Sequence, residues 1–290
     1  MKTVDLHTHS IYSDGTFTPQ EIMEYGKEKG LAAIALTDHD TLEGIYEAVM
    51  WGSKYGIEVI PGIEVSTEYE DTEIHIAGLF VSIENEEFNS ALERLRKSRE
   101  NRNRQMVEKL NDIGVSIKYE DVVKRAEGGI VTRAHIAREI INKGYAGSNN
   151  EVFERYIGKD KPAYVKRQVL SWTDTLRLIN ESGGLAVLAH PLLYKLSERR
   201  LEMIIGELVK GGLAGIEAYY STHSLSDINY VKQVAQKYKL RLSGGSDFHG
   251  ANKPKLDLGT GYGNLKVPYD VLEGLKKEHD IRNSKRRKGE

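Results

Sequence analysis

The chain reads as an α/β protein built on a parallel, barrel-like sheet, and three observations lead there. Seven short apolar, β-branched stretches recur, at 3–6, 32–37, 58–60 running on into 63–66, 74–80, 185–189, 215–220 and 241–245. Most are followed by segments with apolar residues at helical spacing, and strand–helix alternation of this kind argues parallel α/β architecture. The residues with ligating chemistry fall almost entirely at predicted strand ends, and in α/β barrels the chemistry gathers at the carboxyl ends of the strands.

The first strand, 3–6, runs straight into His7 and His9. Alternate strand residues point to one face, so these imidazoles aim together at a point just past the strand. Asp14 follows in a Ser-Asp-Gly turn, close enough to fold back toward them. Thr18-Pro19 opens a helix over 19–29, with Thr as N-cap and Pro in the first turn, and Gly30 closes it. Strand two ends in Thr37-Asp38-His39-Asp40 and precedes a helix over 42–55. Strand three leads through Pro61-Gly62-Ile63-Glu64, and His75 lies within strand four.

The alternation breaks between 80 and 167. Residues 84–110 read as one long charged helix carrying Arg94, Arg96, Lys97, Arg99, Arg102 and Arg104. A turn and short strand are expected over 112–118, a helix over 119–126, and another over 132–143 with Thr132 as N-cap. Residues 144–150 read as a loop, and 152–156 as a helical piece. The expected division is a barrel domain formed by 1–86 and 167–290, with a small, mostly helical insert over 87–166 that caps it. Alternation then resumes. Strand five ends Ala189-His190-Pro191, and strand seven ends Ser246-Asp247-Phe248-His249. The basic stretch 282–290 reads as a frayed tail.

Composition narrows the chemistry. The 290 residues are 39% hydrophobic and 29% charged, as in a globular domain. No apolar run approaches the roughly 18 residues of a membrane span. The N-terminus enters a strand directly, without a signal-peptide pattern, so a cytoplasmic setting and no membrane partner are expected. There is no cysteine, which excludes disulfides and thiolate zinc sites. Any metal site here is ligated by nitrogen and oxygen. The net charge of −2 hides an asymmetry: residues 91–167 hold 18 Lys/Arg against 11 Asp/Glu, a net of +7, so the remainder carries −9. A basic insert beside an acidic, ligand-rich barrel suggests an anionic partner.

Six of the nine histidines fall at the strand ends named above or in strand four. With Asp14, Glu64 and Asp247 they make nine residues able to hold metal. Imidazole plus carboxylate suits zinc, iron or manganese. Neighbouring metal ions bind the non-bridging oxygens of a phosphate, neutralise developing charge and lower the pKa of water for in-line attack. No Ser-His-Asp pattern and no Walker-type glycine-rich loop competes with that reading. Asp5, Asp38 and Asp40 flank ligand candidates and are expected either to orient imidazoles or to cap turns.

The motifs H-x-H…D, T-D-H-D, P-G-I-E, the strand-four histidine, A-H-P and S-D-F-H, in this order, resemble those of the PHP (polymerase and histidinol phosphatase) superfamily, over 1–86 and 167–260. The resemblance implies a distorted (β/α)7 barrel with a centre of three divalent ions (Mn, Fe or Zn) at its C-terminal face. It implies that His7, His9, Glu64 and Asp247 hold one metal. Glu64 would bridge to a second on His75 and His190, and Asp14, His39 and His249 would hold the third. Asp14, Glu64, Asp247 and His249 are the expected catalytic residues. Asp14 stands where the histidinol phosphatase and polymerase branches usually have histidine. Together with T-D-H-D-T and the insert, this resembles the stand-alone branch acting on nucleoside 3′,5′-bisphosphates and, in some members, on short RNA from the 5′ end. A phosphorylated small molecule, a nucleotide or short single-stranded RNA is therefore the expected partner, and no obligatory protein partner is evident. Arg99, Arg102, Arg133, His135 and His223 are the candidate substrate contacts. The rivals are a histidinol-phosphate phosphatase, which Asp14 argues against, and a non-catalytic binding module, which would be expected to have lost ligands.

Overall fold

The structure is a computed structural model and describes residues 2–126 and 131–288. Residues 1, 127–130 and 289–290, at the ends of the expected barrel segments and inside the expected insert, lie outside the described residues. The first half of the chain gives β1 (Thr3–Thr8), α1 (Pro19–Glu28), β2 (Leu31–Leu36), α2 (Ile45–Tyr55), β3 (Glu58–Tyr69) and β4 (Thr72–Leu79). Helices α3 (Glu86–Asp112), α4 (Tyr119–Arg125), α5 (Arg133–Asn142) and α6 (Asn149–Val152) follow, the last running into a π-helical turn at Phe153–Ile157. Then come β5 (Leu170–Ser171), α7 (Trp172–Glu181), β6 (Leu185–Leu188), α8 (Glu198–Lys210), β7 (Gly215–Tyr220), α9 (Leu225–Tyr238), β8 (Arg241–Gly245), β9 (Val267–Pro268) and α10 (Tyr269–Lys288).

Local chemistry explains the starts and stops. Thr18 accepts from the Glu21 N–H at 3.2 Å, while the Glu21 carboxylate accepts from the Thr18 N–H at 2.8 Å, a reciprocal capping box that opens α1. Gly30, at φ +72°, provides the left-handed residue that ends it.

The strands form one nearly closed barrel-shaped sheet in the order β8-β7-β6-β4-β3-β2-β1-β9, with β5 paired to β3. The ends of β1 and β8 meet where the Asp247 N–H donates to His7 O and the His9 N–H donates to Phe248 O, both at 2.9 Å. Gly245 is required at that seam: a Cβ there would lie 2.4 Å from the His7 nitrogen. Outward-facing Ile34, Leu36, Ile63, Val65, Ile76 and Leu188 pack under the outer helices. Ala33, Ala35, Ile60, Ala77, Leu79, Leu185 and Val187 make a second cluster, closed from below by Leu272 and Leu275 of α10. The insert helices have their own core, including Met106, Leu110, Val122, Ile136, Ile140 and Val152.

Three expectations are corrected, and two short strands are added. The sheet is not all parallel: β4 runs antiparallel to both β3 and β6. The reason is connection length. Tyr69 pairs with Thr72 across the two residues Glu70-Asp71, and so short a turn can only return antiparallel. Residues 113–118 form no strand; the Asn111 side chain instead meets Ile117, donating to its carbonyl at 3.0 Å and accepting from its N–H at 3.3 Å. The two-residue strands β5 and β9 carried too little pattern to be read in advance. The basic tail is not frayed through 288: α10 continues to Lys288, and Arg282 anchors it by donating to Gly212 O at 2.8 Å.

Candidate metal centre

Along its length the inner face of the sheet changes from apolar to ligating. In β3 the residue inside after Ile60 and Gly62 is Glu64, and in β4 His75 shares the face of Ala77 and Leu79. The reversal of β4 matters here: because it descends where its neighbours rise, its early residue His75 reaches the same rim as the late residues of β3. Ser66 opposes His75 and Glu64 opposes Ala77, so Glu64 and His75 are diagonal neighbours. His75 Nδ1 is 2.9 Å from Glu64 Oε1, and His190 Nε2 approaches the same oxygen at 2.9 Å. The other oxygen, Oε2, lies 3.3 Å from both His7 Nε2 and His9 Nε2 and 3.2 Å from His39 Nδ1. Glu64, 1% exposed, is the hub of the cluster.

Three residues turn sharply just past strands; His190 and Asp247 thereby bring side chains to this point, while Asp40 meets Arg99 of α3. Asp40, His190 and Asp247 have φ values of +54°, +28° and +60°. Non-glycine residues pay for such angles in strain, which is typically held where geometry matters for function.

All nine predicted ligand candidates come together. Four overlapping groups, each with its ligand atoms within 4.8 Å of one another, are His9-Asp14-His39-His249, His7-Glu64-His190, His7-His9-Asp247 and His39-Glu64-His75. The grouping differs in detail from the partition expected above, since His9 also approaches the Asp14 set and His39 also approaches the Glu64–His75 pair.

The donor set fits metal cations. His7 Nε2 and His9 Nε2 face each other at 3.1 Å, an arrangement of lone pairs that needs a proton or a cation between them. His9 Nδ1, Asp14 Oδ1, His39 Nδ1 and His190 Nδ1 are buried without a hydrogen bond. Yet Asp14 Oδ1 is 3.2 Å from His249 Nε2 and 3.9 Å from His9 Nδ1, and His39 Nδ1 is 3.2 Å from Glu64 Oε2, so the first three of these atoms are aimed into the cluster. Burial opposes charge on Glu64, but the imidazoles of His39, His7 and His75 hold its carboxyl well below the usual range. Burial likewise opposes protonation of His75, yet Glu64 lifts it to about 10, while burial drives His39 down to about 3. Cations would replace such protons.

Several site residues were not anticipated. Glu217, buried in β7, sits 2.9 Å from His7 Nδ1 and accepts the His190 N–H at 2.6 Å, so one carboxylate orients two ligand candidates. Tyr220 donates to Asp247 Oδ2 at 2.7 Å, and Lys253 reaches the same oxygen at 2.6 Å. Tyr194 accepts the His75 N–H at 3.0 Å and donates to Ala189 O at 2.7 Å. A carboxylate inside an apolar strand was the one available sequence signal, because acids are almost never buried unpaired.

Asp5, Asp38 and Asp40 do not orient imidazoles. Asp5 accepts backbone N–H groups of Ser246 and Gly259, both at 2.8 Å. Asp38 holds Ser10 and Ser13, which shapes the turn that presents Asp14. Asp40 accepts from both Arg99 and Arg167.

Beside the ligand cluster lies a group of arginines. Arg99 and Arg102, each 7% exposed, are buried rather than solvated. Arg99 is committed to Asp40, whereas Arg102 contacts Met106 Sδ at 3.2 Å and its Nε has no hydrogen-bond partner among the described residues. Burial, and then the charges of Arg133, Arg99 and Arg167, push Arg102 down to about 9. Arg133 is half-buried with its guanidinium 5.4 Å from the Phe153 ring. His135 is buried, and its Nδ1 accepts the Thr132 N–H at 3.0 Å, which caps α5. His223 is buried with Nδ1 donating to Ala218 O at 2.9 Å, Nε2 without a partner, and its ring 5.4 Å from that of Tyr220. Arg138 of α5 donates to Asn252, which donates to Asp14 O at 2.6 Å, so the insert is tied to the turn bearing a ligand candidate.

Comparison with known proteins gives consistent relatives. A family model for the PHP domain matches residues 5–166. A 5′-3′ exoribonuclease of Haemophilus influenzae is 34% identical over 248 residues, covering 86% of this chain and 90% of the relative. A 3′,5′-nucleoside bisphosphate phosphatase of Chromobacterium violaceum is 33% identical over 260 residues, covering 89% of this chain and 91% of the relative. Among solved structures, an amidohydrolase from Chromobacterium violaceum, with bound sulfate and no metal, matches with a TM-score of 0.83 and 31% identity over 97% of this chain and 96% of the other.

Proposed function

The chain belongs to the PHP-domain family, and from that premise we propose that it is a metal-dependent phosphoesterase that hydrolyses the 3′-phosphate of nucleoside 3′,5′-bisphosphates. Short RNA attacked from the 5′ end is the related substrate, since its first nucleotide presents the same pair of phosphates. The observation that carries this reading is the pairing of two sites: a nine-residue ligand cluster, and beside it a buried Arg102 with no hydrogen bond to its Nε.

Three divalent ions, of Mn, Fe or Zn, are proposed for the cluster, where they supply Lewis acidity that neutralises phosphoryl charge and acidifies water. Glu64, within 3.3 Å of five imidazoles through its two oxygens, would hold two of the ions. Asp14, Asp247 and His249 complete the reacting end, with Tyr220 and Lys253 fixing Asp247. Arg102 and Arg133 receive the second phosphate, because charge-assisted bonds to phosphate are strong and geometrically specific. Asp40 neutralises only one of the two arginines it binds, so Arg99 and Arg167 add net positive charge to that pocket. His223 offers Nε2 as a further polar contact for the substrate.

A histidinol-phosphate phosphatase is disfavoured on the same ground. Its substrate carries an ammonium group and only one phosphate, so Arg102 and Arg133 would have no second anion to receive. A binding module without catalysis leaves the convergence of nine ligand candidates without a purpose.

The test is phosphate release from adenosine 3′,5′-bisphosphate, AMP, p-nitrophenyl phosphate and histidinol phosphate, each with and without chelator. A clear kcat/KM preference for the bisphosphate, abolished by chelation, is expected. Preference for histidinol phosphate, or no turnover of any ester with metal present, would overturn the reading. No described helix is long and apolar enough to cross a membrane.

A further inference from the structure

Helix α3 and the segment 165–170 leading to β5 enclose two adjoining cavities of about 430 and 570 Å³. They share Arg94, Lys166 and Gln168 in their walls and so form one groove. Ser98 donates to Gln168 at 2.7 Å, joining the helix to the facing segment. One cavity reaches Arg102 and the other reaches Arg167, so the groove opens out of the arginine group beside the metal cluster.

Its chemistry is cationic. Arg94 and Lys97 project from α3 and Lys166 from the opposite wall, all exposed. Glu68 is the one carboxylate lining it among the described residues, and Lys166 lies 3.1 Å from it. No aromatic ring lines the groove among the described residues, so it has no platform on which bases would stack. Such a surface reads phosphate charge rather than base identity. The second-phosphate pocket is therefore not a dead end. A ligand whose second phosphate rests on Arg102 can continue into further positive charge.

We infer that the groove receives an anionic extension of the substrate beyond its second phosphate. The class is a nucleoside 3′-phosphate whose 5′-phosphate is lengthened, either as a 5′-polyphosphate or by a 5′-linked nucleotide. This rests on the two-phosphate reading above and extends it from a fixed bisphosphate to longer 5′-substituents. Both sources present the same feature to the protein, a run of negative charge leaving the arginine pocket. The energy available is electrostatic and exposed, so it is modest and sensitive to salt.

The test uses the metal-loaded full chain and its Arg94→Gln/Lys97→Gln/Lys166→Gln variant. Rates of 3′-phosphate release are measured for adenosine 3′,5′-bisphosphate, adenosine 3′-phosphate 5′-triphosphate and a 5′-phosphorylated dinucleotide bearing a 3′-phosphate. The 5′-triphosphate should show a KM about tenfold below that of the bisphosphate, in keeping with several exposed charge contacts. That advantage should shrink with added salt and vanish in the variant, whose constants for the bisphosphate stay as in the wild type. A matching gain for the dinucleotide assigns the groove to a nucleotide chain; a gain confined to the triphosphate assigns it to polyphosphates. Equal KM for all three substrates, or a variant impaired equally on all three, overturns the inference and leaves the bisphosphate activity standing. Only a wild-type enzyme that fails to prefer the bisphosphate over a monoester counts against that activity.

Discussion

Arg99 of helix α3 is buried against Asp40, the residue that follows the ligand candidate His39. The pair joins the long insert helix to the rim of the metal cluster, and Arg167 adds a second guanidinium to the same oxygen. Removing Arg99 leaves Asp40 with Arg167 and the Ser66 N–H and opens space under α3. Arg99→Ala should therefore cost about 1.5–3 kcal/mol, the worth of a hydrogen bond to a charged group, because Arg167 still neutralises Asp40. Urea unfolding would measure it, and kcat/KM should fall on bisphosphate and monoester alike. A loss confined to the bisphosphate would return Arg99 to the role of a direct substrate contact.

Arg102 should behave in the opposite way. Its Nε has no hydrogen-bond partner, so little structure is lost with it. Arg102→Ala should lower kcat/KM for the bisphosphate by ~1.5–3 kcal/mol, the worth of a hydrogen bond to a charged group. Hydrolysis of p-nitrophenyl phosphate should hardly change, and stability should hold or rise because a buried, unpartnered cation is costly. Equal losses on both substrates would remove Arg102 from the second-phosphate pocket.

Glu64 approaches ligand nitrogens through both of its oxygens, and an amide cannot share negative charge between two cations in the same way. Glu64→Gln should lose at least one bound ion and about 10²–10³-fold in turnover, the cost of removing one electrostatic stabiliser. The fold should persist, since the change is isosteric. Elemental analysis beside a rate assay checks both halves, and normal metal content would show that Glu64 is not the bridge.

Glu217 is predicted to act at one remove. It fixes His7 through Nδ1 and His190 through the backbone, so Glu217→Gln should weaken metal affinity about 10–100-fold without touching substrate. Raising the metal concentration should then restore turnover. Variant activity that stays low at saturating metal would assign Glu217 a different part.

The protein as purified should contain about three transition-metal ions per chain, because nine nitrogen and oxygen ligands with bridging solvent complete roughly that many sites. Chelation should abolish hydrolysis and lower Tm, since ions that bind only the folded chain stabilise it by mass action. Full activity in excess chelator after dialysis would contradict a metal mechanism.

How much of this was legible beforehand follows from the range of the interactions involved. The seven principal strands, the Thr18 cap and the nine ligand candidates were readable because each rests on local pattern: β-branched runs, a capping residue, a histidine or acid at a strand end. The absence of cysteine set the ligand chemistry before any coordinate was known. Even the reversal of β4 was latent in the sequence, since two residues between strands leave no room for a crossover. What chain order alone left open depends on residues far apart in the sequence. Asp40 meets Arg99 and Arg167, Glu217 meets His7, and Asn252 joins Arg138 to the Asp14 turn, all across many intervening positions. The sequence makes Arg99 and Arg102 equivalent, two basic residues on one helical face. Packing separates them, because among the described residues only Arg99 finds a carboxylate within reach; burial makes a charge's partner decisive, and partners across the fold are chosen by how the layers close.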